Sequence, residues 1–172
     1  MTASVEPISA PRLGELEDFL AVAREEMESK RSKRLAFNLD LCDMSVTEFA
    51  VAAAENPSGT LFFPILLIEN IITGFGIFNE MNMPIISDGM VSFEPYTFIW
   101  ALYKSPFVVI SGKRSSTSGR ANKLFLDYVD SWARSRGHKR MVGNCKPGFK
   151  TRAARLWGFE LSHLVLERKI GD

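Results

Sequence analysis

The stretch YTFIWALYKSPFVVISGKRSSTSGRANKLFLDYVDSWARSRG, residues 96–137, decides the fold class. Its opening YTFIWALY is rich in β-branched and aromatic side chains and predicts a strand, which Ser105-Pro106 ends. Ser111 to Gly119 contains only Ser, Thr, Gly, Lys and Arg, and this composition predicts a loop. A long amphipathic helix ending at Gly137 follows, because one face at helical spacing carries Ala121, Leu124, Phe125, Tyr128 and Trp132.

A loop that enters a helix presents unpaired backbone N–H groups at the positive end of the helix dipole. Small residues let the backbone approach a pyrophosphate, and the nearby cations are Lys113, Arg114, Arg120 and Lys123. The same composition is also typical of an ordinary solvated connection. The loop therefore indicates an anion site without establishing one.

The N-terminal half supplies further elements. We expect a first strand within Ser4–Ser9, a helix from Pro11, and a second helix after the capping box of Ser45 and Glu48. Two apolar runs, LFFPILLI and ITGFGIF, predict a hairpin that turns at Glu69-Asn70. The segment from Asn79 to Pro95 is expected to be a loop.

The C-terminal part predicts a short strand at Arg140–Val142, a basic helix at Lys150–Leu156 and a last strand at Leu161–Ile170. The order β-α-α-β-β-β-α-β-α-β indicates one α/β (α+β) domain over residues 1–172. We expect a mixed sheet of six to seven strands with helices on both faces, in which the strands at Tyr96–Tyr103 and Arg140–Asn144 are parallel and diverge at their carboxyl ends.

Charge is distributed unevenly along a chain that is 46% hydrophobic and 24% charged, values typical of a soluble globular protein. Residues 1–103 hold 6 Lys and Arg against 15 Asp and Glu, a net of −9. Residues 104–172 hold 15 against 5, a net of +10, so the whole chain carries +1. Two interpretations stay open: the C-terminal part binds an anion such as a nucleotide, or the two parts neutralise each other within the fold.

Several classes of protein are disfavoured. The first residues lack a basic start and an apolar core, and the longest apolar run is too short to cross a membrane, so we expect a soluble, cytoplasmic protein. Cys42 and Cys145 are interpreted as buried thiols in a reducing compartment. His138 and His163 have no paired ligands at metal-binding spacing, so no metal site is expected. Nucleic-acid binding is disfavoured because aromatic residues are not interleaved with the basic ones.

Four segments, in chain order, resemble the GCN5-related N-acetyltransferases. ENIITGFGIF resembles the hairpin of their second and third strands, and SGRANKLFLDYVDSWARSRG resembles their pyrophosphate loop and following helix. Met141-Val142 with Asn144 resembles their fifth strand, and AARLWGFE resembles their closing Gly-Phe element. The degenerate motifs are similar to those of divergent members encoded by tailed phages.

The resemblance implies an enzyme that uses acetyl-CoA as acyl donor and transfers the acetyl group to an amine. It implies that the cofactor lies where the fourth and fifth strands separate, with Glu94 as general base. The implied cofactor-binding residues are Ser118, Gly119, Arg120, Ala121, Asn122 and Asn144.

Two departures from the family pattern keep a second interpretation open. The loop 116–121, Ser-Thr-Ser-Gly-Arg-Ala, keeps the family's glycine and small last residue but lacks its leading Arg or Gln. Ala154 occupies the position of the tyrosine that commonly protonates the leaving thiolate. The alternative is therefore a catalytically inactive scaffold or interaction protein, such as a viral structural or assembly component, with protein partners or a homo-oligomer.

Overall fold

The computed structural model describes residues 2–28, 46–117, 119–143 and 158–159. In chain order it contains β1 (Ala3–Pro7), a single 3₁₀ turn (Ala10–Arg12), α1 (Leu13–Glu28), α2 (Val46–Glu55), β2 (Leu61–Phe62), β3 (Pro64–Ile68), β4 (Ile71–Ser87), β5 (Met90–Lys104), β6 (Phe107–Ile110), β7 (Lys113–Ser116), α3 (Gly119–Ser135) and β8 (Met141–Gly143). The predicted basic helix and last strand lie outside the described residues, as does Ser45 of the predicted capping box.

The main sheet has six strands in the order β1-β3-β4-β5-β8, with β2 also paired to β4. All its pairs are antiparallel except that of β5 with β8, which is parallel. The strands β6 and β7 form a separate two-stranded sheet. This mixed sheet with helices confirms the predicted fold class.

Two-residue turns close three hairpins, and each turn has two residues with positive φ. These turns are Glu69-Asn70, Asp88-Gly89 and Ser111-Gly112, with φ values between 49° and 75°. Turns of this kind match the right-handed twist of the strands that they join, and Asn and Gly adopt positive φ at low cost. The first of them confirms the predicted hairpin of the two apolar runs.

The other two turns correct the sequence-based expectations. Asn79 to Pro95 is not a loop, because β4 continues to Ser87 and β5 begins at Met90. An Asp-Gly dipeptide between two apolar strand segments is typical of a two-residue hairpin turn, and Asp88-Gly89 could have predicted this hairpin from the sequence. Likewise, most of the Ser/Gly/Lys/Arg segment is the β6–β7 hairpin rather than a loop.

Hydrophobic residues cover both faces of the sheet. On one face, α1 and α2 pack through Leu16, Leu20 and Ala50 against Ile65 and Phe75. On the other face, Ala121, Phe125 and Val129 of α3 pack against Leu66 and Ile68 of β3 and Phe78 of β4. Because successive side chains of a strand point to opposite faces, the apolar run of β3 supplies both layers. Helices therefore lie on both faces, as predicted.

The crossover from β5 through α3 to β8 is the part of the fold that positions a ligand site. Thr97, Phe98 and Ile99 pair with Met141, Val142 and Gly143 in parallel register. The backbone N–H of Thr97 donates to the carbonyl oxygen of Arg140 at 3.0 Å. This arrangement confirms that the two strands are parallel neighbours. Their divergence beyond Gly143 lies outside the described residues.

The packing of α3 generates a stability prediction. Val129 is fully buried between α3 and the sheet, whereas Val22 on α1 is exposed. Val129→Ala should lower the free energy of unfolding by about 2 kcal/mol, because it removes buried methyl groups and leaves a cavity. Val22→Ala is the matched control and should change it by less than about 0.5 kcal/mol. Chemical denaturation measures both, and equal effects would contradict the assigned packing of α3.

Candidate functional site

An irregularity in β5 lies where its pairing with β8 stops. The register with β4 shifts there, since Ile77 faces Ala101 while Phe78 faces Ile99, which leaves Trp100 as an extra residue on β5. Such a β-bulge locally disrupts the ladder and increases the twist. On the other edge of β5, the described pairing with β8 ends one residue earlier, at Ile99. The parallel strands therefore present an edge beyond Ile99 that no described strand occupies.

The amino end of α3 lies beside the carboxyl end of β5. Thr117, the buried residue that follows β7, donates its hydroxyl hydrogen to the carbonyl oxygen of Ser105 at 2.8 Å. Its backbone N–H donates to the carbonyl oxygen of Pro106 at 3.0 Å. The half-buried Lys104 Nζ donates to Thr117 Oγ1 at 2.6 Å. These bonds place a cation and the unpaired N–H groups of the first helical turn at one end of the sheet.

Two of the cations that the sequence placed near this site, Arg114 of the β6–β7 hairpin and Lys123 of α3, have other contacts. The Arg114 guanidinium carbon lies 3.8 Å from the ring centroid of Phe107, a cation–π contact across the hairpin. Lys123, one turn into α3, forms an ion pair with Asp127 at 2.6 Å. Lys104 is therefore a described cation that contacts Thr117, two residues before α3. Sequence reasoning missed it, because it considered only the cations of the loop and of the helix.

The predicted cofactor-binding residues fall into two groups. Gly119, Arg120, Ala121 and Asn122 form the first turn of α3, and Ala121 is buried against the sheet. Ser118 and Asn144 lie outside the described residues. The glycine and the small residue of the degenerate motif are thus at the helix start, where backbone N–H groups are available. Their role in binding stays a prediction.

Glu94, the predicted base, lies on β5 opposite Met83 of β4. Its half-buried carboxylate forms ion pairs with Lys139 Nζ at 3.4 Å and with Arg140 Nε at 3.8 Å. It is six residues before the extra residue Trp100. Along an extended strand this separation is too long for direct contact with a group bound at the bulge. The catalytic role of Glu94 stays a prediction.

A partly buried polar cluster lies where the pairing of β5 with β8 begins. Thr97 Oγ1 and His138 Nδ1 are 2.7 Å apart and form a hydrogen bond. His138 Nε2 lies 3.3 Å from Glu80 Oε2 without hydrogen-bond alignment, and the same oxygen accepts a hydrogen bond from Arg136 Nη1 at 3.2 Å. The ring of Trp132 meets the imidazole edge-on at 5.6 Å. This cluster fixes the segment between α3 and β8.

Three aromatic side chains, Tyr96, Phe98 and Trp100, alternate along β5, and Trp100 lies on the sheet face that packs against α1 and α2. Tyr96, Phe98 and Trp100 are all partly exposed, and the rings of Phe98 and Trp100 meet edge-on at 4.8 Å. Beside them, Asn79 Oδ1 is buried and accepts no hydrogen bond within the described structure. Trp100 also packs against the buried cluster of α1 and α2.

A metal site and a membrane-spanning helix are both absent from the described part of the chain. The ranges that the structure describes contain no group of three or more His, Cys, Asp or Glu residues that could hold a metal ion. Within the same ranges, no helix has the length and apolar character needed to cross a membrane.

The fold is that of the GCN5-related N-acetyltransferases, as comparison with solved structures shows. The aminoglycoside acetyltransferase AAC(6')-Iy, in complex with a bisubstrate analogue of CoA and acetylneamine, has a TM-score of 0.60 at 16% identity. The match covers 99% of this chain and 100% of that one. No protein-family model matches the sequence, and no curated protein is significantly similar to it.

Two further structures agree. An aminoglycoside acetyltransferase from an uncultured soil metagenomic sample has a TM-score of 0.62 at 15% identity, covering 100% of this chain and 99% of the other. A predicted acetyltransferase of Clostridium acetobutylicum with acetyl-CoA has a TM-score of 0.59 at 15% identity, with 98% and 96% covered. At such low identities the comparison establishes the fold, and function needs a separate argument.

The geometry at the start of α3 gives a second stability prediction. Thr117→Val keeps the side-chain shape but removes the hydroxyl that serves Ser105 and Lys104. It should lower the free energy of unfolding by about 1–3 kcal/mol, because a buried carbonyl oxygen loses its donor. It should also speed hydrogen exchange in the first turn of α3. Ser116→Ala, at the exposed neighbouring position, is the control. If Thr117→Val left the free energy of unfolding unchanged, this hydrogen-bond network would be contradicted.

Proposed function

We propose that this protein is an N-acyltransferase that binds acetyl-CoA at the start of α3 and transfers the acetyl group to an amine. The observation that carries the proposal is the combination of a β5 bulge, a parallel β8 whose pairing ends beside it, and an α3 that begins at the same end of the sheet. Structures of this fold with CoA or acetyl-CoA bound support the cofactor.

In this proposal the pyrophosphate lies over the first turn of α3. The N–H groups of Gly119 to Asn122 supply hydrogen-bond donors, and the absence of a side chain at Gly119 leaves room for close approach. Lys104 supplies a positive charge from β5, next to the same turn. Asn144, the residue after β8 in the sequence, completes the proposed set. The thioester then lies in the gap beyond Ile99, near the bulge at Trp100.

Binding of acetyl-CoA can be tested directly by calorimetry and thermal unfolding. The cofactor should raise the unfolding temperature, by an amount equivalent to about 2.7 kcal/mol at a concentration 100 times the Kd. Gly119→Val should abolish the shift, since a β-branched side chain would block the approach of the pyrophosphate to the backbone. Lys104→Met should weaken binding about tenfold, because it removes a charge-assisted contact.

Lys139→Met is the matched control, since it removes the same charge beyond the other end of α3 and should leave binding unchanged. A wild-type protein that shows no heat of binding and no thermal shift at millimolar acetyl-CoA would refute the cofactor site. Equal weakening in the two lysine variants would instead show that only net charge matters.

We further propose Glu94 as the general base, since it is the only carboxylate of β5. Because Glu94 lies six residues before the bulge, a proton from the acceptor ammonium would reach it through a chain of several water molecules, and the carboxylate would have to exchange one of its ion pairs. Ala154 offers no acid for the leaving thiolate, so water or a hydroxyl such as that of Ser115 or Thr151 would protonate it. Turnover is therefore expected to be slow, by about 10²–10⁴ relative to an enzyme with a positioned acid.

The test is acetyl transfer to a panel of amines, with aminoglycosides among them. Glu94→Gln should lower the rate by about 10²-fold or more if the carboxylate is the base. Lys139→Met keeps the carboxylate and removes one ion pair, so it should retain the wild-type rate. Identical rates in Glu94→Gln and in the wild type would remove Glu94 from the mechanism.

A catalytically inactive scaffold remains the second candidate, and one observation favours it. The position at which the family loop begins is Ser116, the last residue of the β6–β7 hairpin, which stands between β5 and α3. An origin in a tailed phage, with a structural or assembly role, belongs to this candidate. Absence of both cofactor binding and acetyl transfer would favour it over the enzyme.

A further inference from the structure

The hairpin of β4 and β5 extends past the core as an arm, formed by residues 81–87, the turn Asp88-Gly89 and residues 90–94. The β4 edge is paired with β2 only up to Asn79, and the β5 edge is paired with β8 only from Thr97. Neither edge of the arm has a neighbouring strand within the described residues. Among the described residues the arm is thus a two-stranded ribbon, an arrangement that is marginally stable in water unless something covers it.

One face of the arm carries an apolar strip formed by Pro84, Ile86, Val91 and Phe93. The register places Pro84 opposite Phe93 and Ile86 opposite Val91, so that the side chains form two adjacent cross-strand pairs. Ile86 is 76% exposed, Val91 60% and Phe93 68%. Isolated apolar side chains on a surface are normal, but a contiguous strip of this kind marks an interaction site.

The arm carries few charged residues, and this restricts the kind of partner that can bind it. Residues 79–103 contain no Lys or Arg, and Asp88 at the tip is the only charged residue between Met81 and Phe93. A strongly charged partner such as a nucleic acid or a basic peptide would find no complementary group on the strip. The partner must therefore present an apolar surface of similar length and width.

We propose that the strip is a self-association surface, on which the arm of a second copy of this chain packs face to face about a twofold axis. An isologous contact needs a patch that is complementary to itself. With the axis between the two cross-strand pairs, the Ile86–Val91 pair of one copy covers the Pro84–Phe93 pair of the other. The large ring of Phe93 then lies against the smaller Val91.

The available area sets the strength of this contact. At roughly 60–120 Å² for each buried aliphatic side chain and more for Phe93, the strip would bury about 400 Å² per copy. Specific stable interfaces bury about 800 Å² per partner. The dimer is therefore reversible and concentration-dependent, and we expect its dissociation constant to be on the order of 10–100 µM. The sheet edge at α3 is not part of the contact, so cofactor binding is unaffected.

The experiment is sedimentation equilibrium of the full chain from about 1 to 500 µM, a range that brackets the expected dissociation constant. The wild-type protein should change from monomer to dimer over this range. Val91→Lys and, separately, Phe93→Lys should remain monomeric, because either change buries a charge in the contact. The matched control is Val109→Lys, since Val109 is 59% exposed on the other hairpin and has nearly the exposure of Val91. It should dimerise as the wild type does.

Circular dichroism melts of all four proteins establish that each is folded. A wild-type protein that stays monomeric at 500 µM would overturn the proposal, including the case in which it is then found on lipid vesicles or on another protein. A dimer that Val91→Lys and Phe93→Lys leave intact would also overturn it, because the contact would then lie elsewhere. Loss of dimer in Val109→Lys alone would place the contact on the β6–β7 hairpin.

Discussion

The parallel pairing of β5 with β8 is the constraint on which the rest of the structure depends. It is short, from Thr97–Met141 to Ile99–Gly143, and parallel strands can be joined only by a crossover. The crossover helix α3 must therefore run antiparallel to the two strands and begin near the carboxyl end of β5. That requirement brings the orphan N–H groups of the first turn of α3 to Lys104 and Thr117. The anion-binding potential of this end of the sheet follows from the connection itself.

The two ends of this crossover are fixed in different ways. Where the pairing of β5 with β8 begins, the buried hydrogen bond between Thr97 and His138 and the ion pair of Glu80 with Arg136 tie β5, β4 and the residues after α3 together. Toward the carboxyl ends, the bulge at Trp100 and the end of the β8 pairing leave the edge of β5 without a neighbouring strand among the described residues. The polar cluster therefore fixes β5 and β8 to each other, and the adjacent edge of β5 beyond Ile99 is where we propose that a ligand binds.

The β4–β5 hairpin shows how one sequence segment can serve two roles. Its inner part, around Phe78 and Ile99, is buried beneath α3. Its outer part carries apolar side chains into solvent at Ile86 and Phe93. A strand of a monomeric protein would ordinarily end with the core or carry polar residues beyond it. The continuation of apolar character past the core is the physical reason to assign the arm to contact between molecules rather than to folding.

The sequence by itself determined α1, α2 and α3, the β3–β4 hairpin, the strand at Tyr96–Tyr103 and the parallel β5–α3–β8 order, because each is encoded in periodicity and turn residues that are local. It also predicted the fold, which the comparison with solved structures confirms. It did not predict the arm or the β6–β7 hairpin, since apolar or Ser-rich segments resemble loops until a partner strand is known. The bulge, the approach of Lys104 to Thr117 and the pairing of His138 with Thr97 were decided by tertiary structure alone. Each of them depends on registers and contacts between residues that are distant in sequence, which no local pattern encodes.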